Sequence, residues 1–152
     1  VMILFYFGMA ELTQAMMAQR RNSHIASAIG DLVTQSSSVS SAEIADIFTI
    51  GSAIMKPFPG GNAIKIRVTS ITVDNTGTAK VDWSDAQVLT PASVGAVIAL
   101  PDGLVANGET VIKAESEYAY VSPSNFVMPS GTTFTETFYL RPRKSDAIAR
   151  TQ

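Results

Sequence analysis

An α+β fold is predicted for this chain by three features of its sequence. Residues 1–35 contain neither proline nor a glycine pair and read as one long helix. A serine-rich break then precedes a shorter helical pattern, and from Ile64 onward apolar residues recur at every second position, the period of a half-buried strand. The expected architecture is a long N-terminal helix, its apolar half protruding, packed with a second helix on a mainly antiparallel sheet of about four strands.

The first helix changes character along its length. At about 1.5 Å per residue it would run roughly 50 Å, more than a compact domain of this size needs, so one end should leave the globule. Val1 to Ala10 carries no charge and places Phe5, Tyr6 and Phe7 on adjacent faces. A helix apolar all round needs an apolar medium or other helices around it. From Ala18 the pattern narrows to a stripe of Ala18, Ile25, Ile29 and Leu32, expected to pack on the sheet, with Arg20, His24, Ser27 and Asp31 on a wet face. The division expected is therefore residues 1–17 as the membrane- or filament-embedded half and residues 18–152 as a single α+β domain. The 152 residues suffice for one domain with a real core.

After Gln35 the run SSSVSS is expected to be a hinge or loop, since serine hydroxyls compete for backbone hydrogen bonds. Ser40 and Glu43 form a capping box that opens a helix over about Ala42–Met55, with Ile44, Ile47, Phe48 and Ile54 at helical spacing. The KPFPGG stretch stops it. Ile64, Ile66 and Val68 then alternate with Lys65, Arg67 and Thr69, and a slip near Ser70, after which Ile71 and Val73 resume, suggests a bulge. Asp74 to Gly77 reads as a hairpin turn into a strand carrying Ala79, Val81 and Trp83. Residues 86–108, with turn signals at Pro101-Asp102-Gly103 and Asn107-Gly108, are expected to form a short helix or a crossing loop.

Two more strands complete the sheet. Ile112, Ala114, Tyr118 and Tyr120 face one way, with Lys113, Glu115 and Glu117 facing the other. Phe134, Phe138 and Leu140 form the inner face of the last strand, with Thr133, Thr135, Thr137 and Tyr139 outside. Polar outer faces predict a sheet covered on one side only, with the first helix lying across it.

Composition excludes several functions. A net charge of −2 offers no basic surface for nucleic acid, and the absence of cysteine removes disulfides, thiol catalysis and cysteine-ligated metals. His24 has no companion at triad or metal spacing and reads as a surface histidine. Glu115, Glu117, Asp82 and Asp85 read as a solvated sheet face rather than an acid/base set, and Gly60-Gly61 as a turn. No catalytic residue, cofactor, metal or small-molecule substrate is expected. Glu11 is the one charge within the apolar half, either an intramembrane functional acid or a group near the bilayer exit. A spanning helix needs about 20 apolar residues and this one offers a shorter run, so further residues are expected upstream of Val1.

The string LFYFGMAELTQAM, the helix end SAIGDLVTQ, the segment VDNTGTAKVDWSDA and the closing EYAYVSPSNF and TFTETFYLRPRKSDAI together resemble TadE/TadG-like pseudopilins of the tight-adherence (Flp, type IVc) pilus system. The resemblance spans nearly the whole chain. The leader and small-residue stretch with which that family opens have no counterpart in this numbering. The resemblance implies a pilin-like fold and an inner-membrane protein with a periplasmic domain, drawn into a pilus at the cell surface. It implies partners that are other pilin or pseudopilin subunits, met through Met2, Phe5, Phe7, Met9, Leu12 and Met16. The alternatives are an adhesin or receptor module using Tyr139, Phe126 and residues 122–131, and an envelope hydrolase using Glu115 and Asp82. Arg141 and Arg143 of the RPRKSD tail are expected in solvent.

Overall fold

The first helix, α1, spans Met2–Thr34 in the computed structural model, which describes residues 1–123 and 131–152. After it come β1 (Ser38–Val39), α2 (Ser41–Ile54), a 3-10 turn (Gly61–Ala63), β2 (Ile64–Val73), β3 (Ala79–Gln87), β4 (Thr110–Tyr120), β5 (Thr132–Leu140) and β6 (Ala149–Arg150). The four long strands form one antiparallel sheet in the order β3-β2-β4-β5, and α1 lies across β4 and β5. The α+β class, the two helices and the four-stranded sheet agree with the expectation from sequence.

Local chemistry accounts for the helix and turn boundaries. Ser40 accepts from the Glu43 amide, and the Glu43 carboxylate accepts in turn from the Ser40 amide at 2.7 Å, so the capping box is closed. In the β2–β3 turn, Asp74 Oδ1 accepts from the Thr76 and Thr78 amides at 2.9 and 3.0 Å, and Gly77 takes φ 82°. Both α2 and α1 approach their neighbours at glycines. A Cβ on Gly51 would sit 2.8 Å from Ile29 Cδ1, and one on Gly30 would sit 3.2 Å from Ala114 Cβ.

The main core lies between α1, α2 and the helix-facing side of the sheet, centred on Ile25, Ile29, Ile64, Ile66, Ile112 and Tyr118, all fully buried. Ala18 is also fully buried there. Leu32 is only half-buried; it lines a cleft with Val39 and Ile47 on the α2 side.

The bulge expected near Ser70 is present in the β2–β3 pairing, between Ser70 and Ile71, but its extra residue lies on β3. β2 keeps a continuous register with β4, and the extra residue is Asp82 of β3, between Trp83 opposite Ser70 and Val81 opposite Ile71. Because β2 itself stays regular, its apolar residues change face: Ile64, Ile66 and Val68 point toward α1, whereas Ile71 and Val73 point away. There they form a second cluster with Ala79 and Val111, covered by Ile98, Leu100, Val105 and Tyr139. The sheet is thus covered on both faces at its hairpin end, not on one face throughout.

That cover comes from residues 88–108, which form a crossing loop without helix. Ile98 donates to Ala79 O, the Val81 amide donates to Ala96 O and Gly95 donates to Val81 O, so the loop also closes the free edge of β3. The serine run contains one half of a two-residue parallel ladder, β1 with β6, that sequence periodicity does not disclose. The tail is docked on its own chain: Arg141 pairs with Glu109 at 3.2 Å and Arg143 with Asp31 at 2.8 Å.

Candidate interaction helix

Helix α1 is covered by the domain on one face and left bare elsewhere. Its buried positions step by three and four: Glu11, Ala15, Ala18, Asn22, Ile25, Ile29 and Val33. The packed stripe therefore begins at Glu11, two turns before Ala18, where the first uninterrupted apolar spacing starts. Two of its members are polar.

Asn22 is fully buried and bridges helix and sheet. Its Nδ2 donates to Ser116 O and Phe134 O at 3.2 and 3.0 Å, and its Oδ1 accepts from Ser116 Oγ at 2.5 Å. Glu11 is 3 % exposed and stands close to Tyr120, whose hydroxyl is pushed up in pKa by burial and, secondarily, by the Glu11 charge. Glu11 thus faces the sheet side of α1, in a groove also lined by Tyr6, Phe7, Gln14 and Pro123. Sequence reasoning missed Asn22. The signal was the 3.5-residue stepping that runs through Glu11 and Asn22 once polar members are admitted to it.

The six residues expected as contacts are all uncovered, from 45 % exposed at Leu12 to 87 % at Met2, with Phe5, Phe7, Met9 and Met16 between. Val1, Ile3, Leu4, Tyr6 and Met17 are exposed as well. Burying that many large apolar side chains is worth on the order of 20 kcal/mol at about 1.5–3 kcal/mol each, which the isolated chain forgoes. Contiguous apolar surface of this extent marks an interaction site. No helix among the described residues is long and apolar enough to cross a membrane.

The residues considered for catalysis are not brought together. Asp82 accepts from Ser70 Oγ at 3.0 Å and Thr72 Oγ1 at 2.7 Å, on the α1 side of the sheet. Glu115 lies on the opposite face, held by Arg67 through two bonds of 2.6 and 3.0 Å and by Lys113 at 2.9 Å. Lys65 and Glu117 form a neighbouring pair at 3.7 Å, and Asp85 is bound by Arg150 at 2.7 Å. His24 is exposed, and no metal-holding group of acidic or histidine side chains occurs among the described residues. Of the residues expected for adhesion, Tyr139 is half-buried in the second cluster, and Phe126 lies outside the described residues.

The Glu115 cluster sets an acid limit on the sheet. Burial alone would raise the Glu115 carboxyl, but the hydrogen bonds from Arg67 and Lys113 outweigh it and hold the group below its ordinary 4.5. A lowered native pKa contributes stability that is complete above pH 4.5 and disappears as pH falls through the native value. Glu115→Gln is expected to cost about 1 kcal/mol at pH 7, with the difference from the unaltered chain vanishing in acid. Urea midpoints measured from pH 7 to pH 3 check it, and a difference that grew in acid would contradict the assignment.

Comparison with known proteins finds no matching family model, no matching curated protein and no matching solved structure. The class defined by fold and surface is an α+β domain carrying an uncovered apolar helix.

Proposed function

We propose that this chain is a minor pilin or pseudopilin, held in the inner membrane through the first half of α1 with its domain in the periplasm. From there it enters, or primes, a Tad/Flp-type pilus at the cell surface. The observation that carries the reading is the partition of α1: Val1 to Phe7 is exposed and apolar on all sides, while from Glu11 onward one face of the helix is packed on the sheet domain. Such a helix exchanges lipid for neighbouring helices at little cost, because both surround its beginning with apolar groups. The partners are other pilin or pseudopilin subunits, and the role needs neither a catalytic residue nor a cofactor. Membrane retention is assigned to the apolar half in the setting of the whole protein.

The test is complementation of a deletion strain with Phe5→Glu and Met9→Glu. Both side chains are exposed, so the domain's stability is expected to change by less than about 0.5 kcal/mol. Each charge placed in an apolar surround costs roughly 3 kcal/mol, so the variants should be lost from the membrane fraction and fail to restore pili. Retention and piliation at unaltered levels would overturn the proposal.

A further inference from the structure

We infer that the end of the domain nearest the bare half of α1 docks on anionic phospholipid headgroups through Arg20, Arg21 and Lys56. The inference rests on the membrane reading above and gives the domain a contact of its own with the bilayer surface. Of the eleven lysines and arginines, seven stand in ion pairs with carboxylates. Among the described residues, the four without an ion pair are these three and Lys144.

The fold gathers three of those four cations at one end. Arg20 and Arg21 follow closely on Met17, the last large bare apolar side chain of α1, about 5 Å further along the axis. Arg21 Nη1 donates to Ile54 O at 2.8 Å, so α2 ends at that level of the helix. Beyond it the Phe58 ring meets Tyr120, with 6.3 Å between centroids, at the end of the sheet beside Glu11. Lys56 lies in the chain between these two fixed points and is exposed, as is Arg20. Lys144 stands elsewhere, in the cleft with Leu32 and Gln35 near the other end of α1.

Acids are missing from the same end. The sequence has no Asp or Glu between Glu11 and Asp31, between Asp46 and Asp74, or between Glu117 and Glu136. Glu11 is 3 % exposed, and Glu117 is paired with Lys65. The surface here is therefore cationic on a chain whose net charge is −2, so a negative surface attracts this end and not the molecule as a whole. A bilayer matches the arrangement. Its headgroup layer is about 5–8 Å thick on each side of the hydrocarbon, and a cation one helical turn past the last greasy side chain falls within it. Lipid phosphates there supply the acceptor oxygens that Arg20 and Lys56 do not find on the domain. Val121, 67 % exposed just past β4, and the exposed Pro57 and Pro59 add uncharged surface beside the cations.

The test is flotation of the full chain with vesicles of phosphatidylcholine alone and of equimolar phosphatidylcholine and phosphatidylglycerol. At about fivefold per cation close to an anionic surface, the unaltered chain should bind the second about 100-fold more tightly, and Arg20→Gln/Lys56→Gln only about fivefold more tightly. Both altered side chains are exposed, so the fold should persist, which circular dichroism checks. Lys144→Gln should keep the full preference, and salt at about 1 M, where the screening length is about 3 Å, should abolish it. Equal binding to both vesicles by the unaltered chain would overturn the docking and leave the cations to an acidic protein surface. A loss in Lys144→Gln equal to that in Arg20→Gln would overturn it too, since attraction would then have no site. Absence of the preference alongside lost piliation in the Phe5→Glu variant defeats the headgroup contact and leaves the assembly reading standing. A preference that Arg20→Gln/Lys56→Gln removes, with intact membrane retention and piliation in Phe5→Glu, does the reverse.

Discussion

Asn22→Leu is expected to lower the unfolding free energy by about 3 kcal/mol, although the two side chains are similar in volume. The cost comes from what Asn22 leaves behind. Ser116 O and Phe134 O lose the Asn22 donor, and Ser116 Oγ, itself fully buried, loses its acceptor; the Ser116 end of the bridge is buried and the Phe134 end part-buried. For a chain of this length that corresponds to a fall in melting temperature of roughly 10 °C. Ser116→Ala in the Asn22→Leu background should recover about 1 kcal/mol, because one orphaned hydroxyl is gone. A urea-unfolding cycle over the four proteins measures the coupling. A loss below about 1 kcal/mol for Asn22→Leu would show that the bridge is not what fixes the helix on the sheet.

The bridge has a consequence for assembly. Sliding α1 by one turn would set Ala18 or Ala26 against Ser116 and bury its hydroxyl without a partner. Asn22 therefore specifies one height of the bare apolar half above the domain, as a single polar residue specifies register in a paired helix. Under the proposed function, subunits joining through that half would present their domains at a common level.

Removal of residues 148–152 is expected to cost about 4 kcal/mol, a large part of the 5–15 kcal/mol that holds an ordinary domain. Ile148 is 2 % exposed, and its carbonyl accepts from the indole of Trp83 at 2.7 Å. The same segment supplies β6, which pairs with β1, and Arg150, whose guanidinium grips Asp85 at 2.7 and 3.3 Å. Burying an isoleucine accounts for roughly 2–3 kcal/mol of the loss, and the Trp83 and Arg150 hydrogen bonds, exchanged for bonds to water, for another 1–2 kcal/mol. Ile148→Ala isolates the first contribution, at about 3 kcal/mol including the cavity. Trp83 is the sole tryptophan, so its fluorescence reports both the midpoint and, by a red shift in the truncated chain, the entry of water. A truncated chain within about 1 kcal/mol of the intact one would contradict this account.

Several elements were legible because their causes are local. The capping box at Ser40 and Glu43, the Asp74 turn, the stop at KPFPGG and the alternation through Ile64, Ile66 and Val68 each involve groups a few residues apart. The bare apolar start of α1 was legible for the same reason, since nothing distant changes the character of Val1 to Ala10. The apolar shift after Ser70 was visible but its meaning was not. A slip in phase and a change of face look alike in one strand, and the β2–β4 register, regular throughout, distinguishes them.

The sequence by itself determined the two helices and the four long strands, the outward charge on Lys65, Glu115 and Glu117, and the greasy surface of α1, because propensity, capping and period act over one or two turns of chain. Tertiary structure alone decided that Glu11 and Asn22 belong to the packed stripe, that residues 88–108 close the second face, and that Ile148 completes the core. A polar side chain is buried only where its partners wait in the dry interior, and Asn22 finds them 94 and 112 residues away. No local pattern can announce a partner at that distance; it exists only once the sheet has folded beneath the helix.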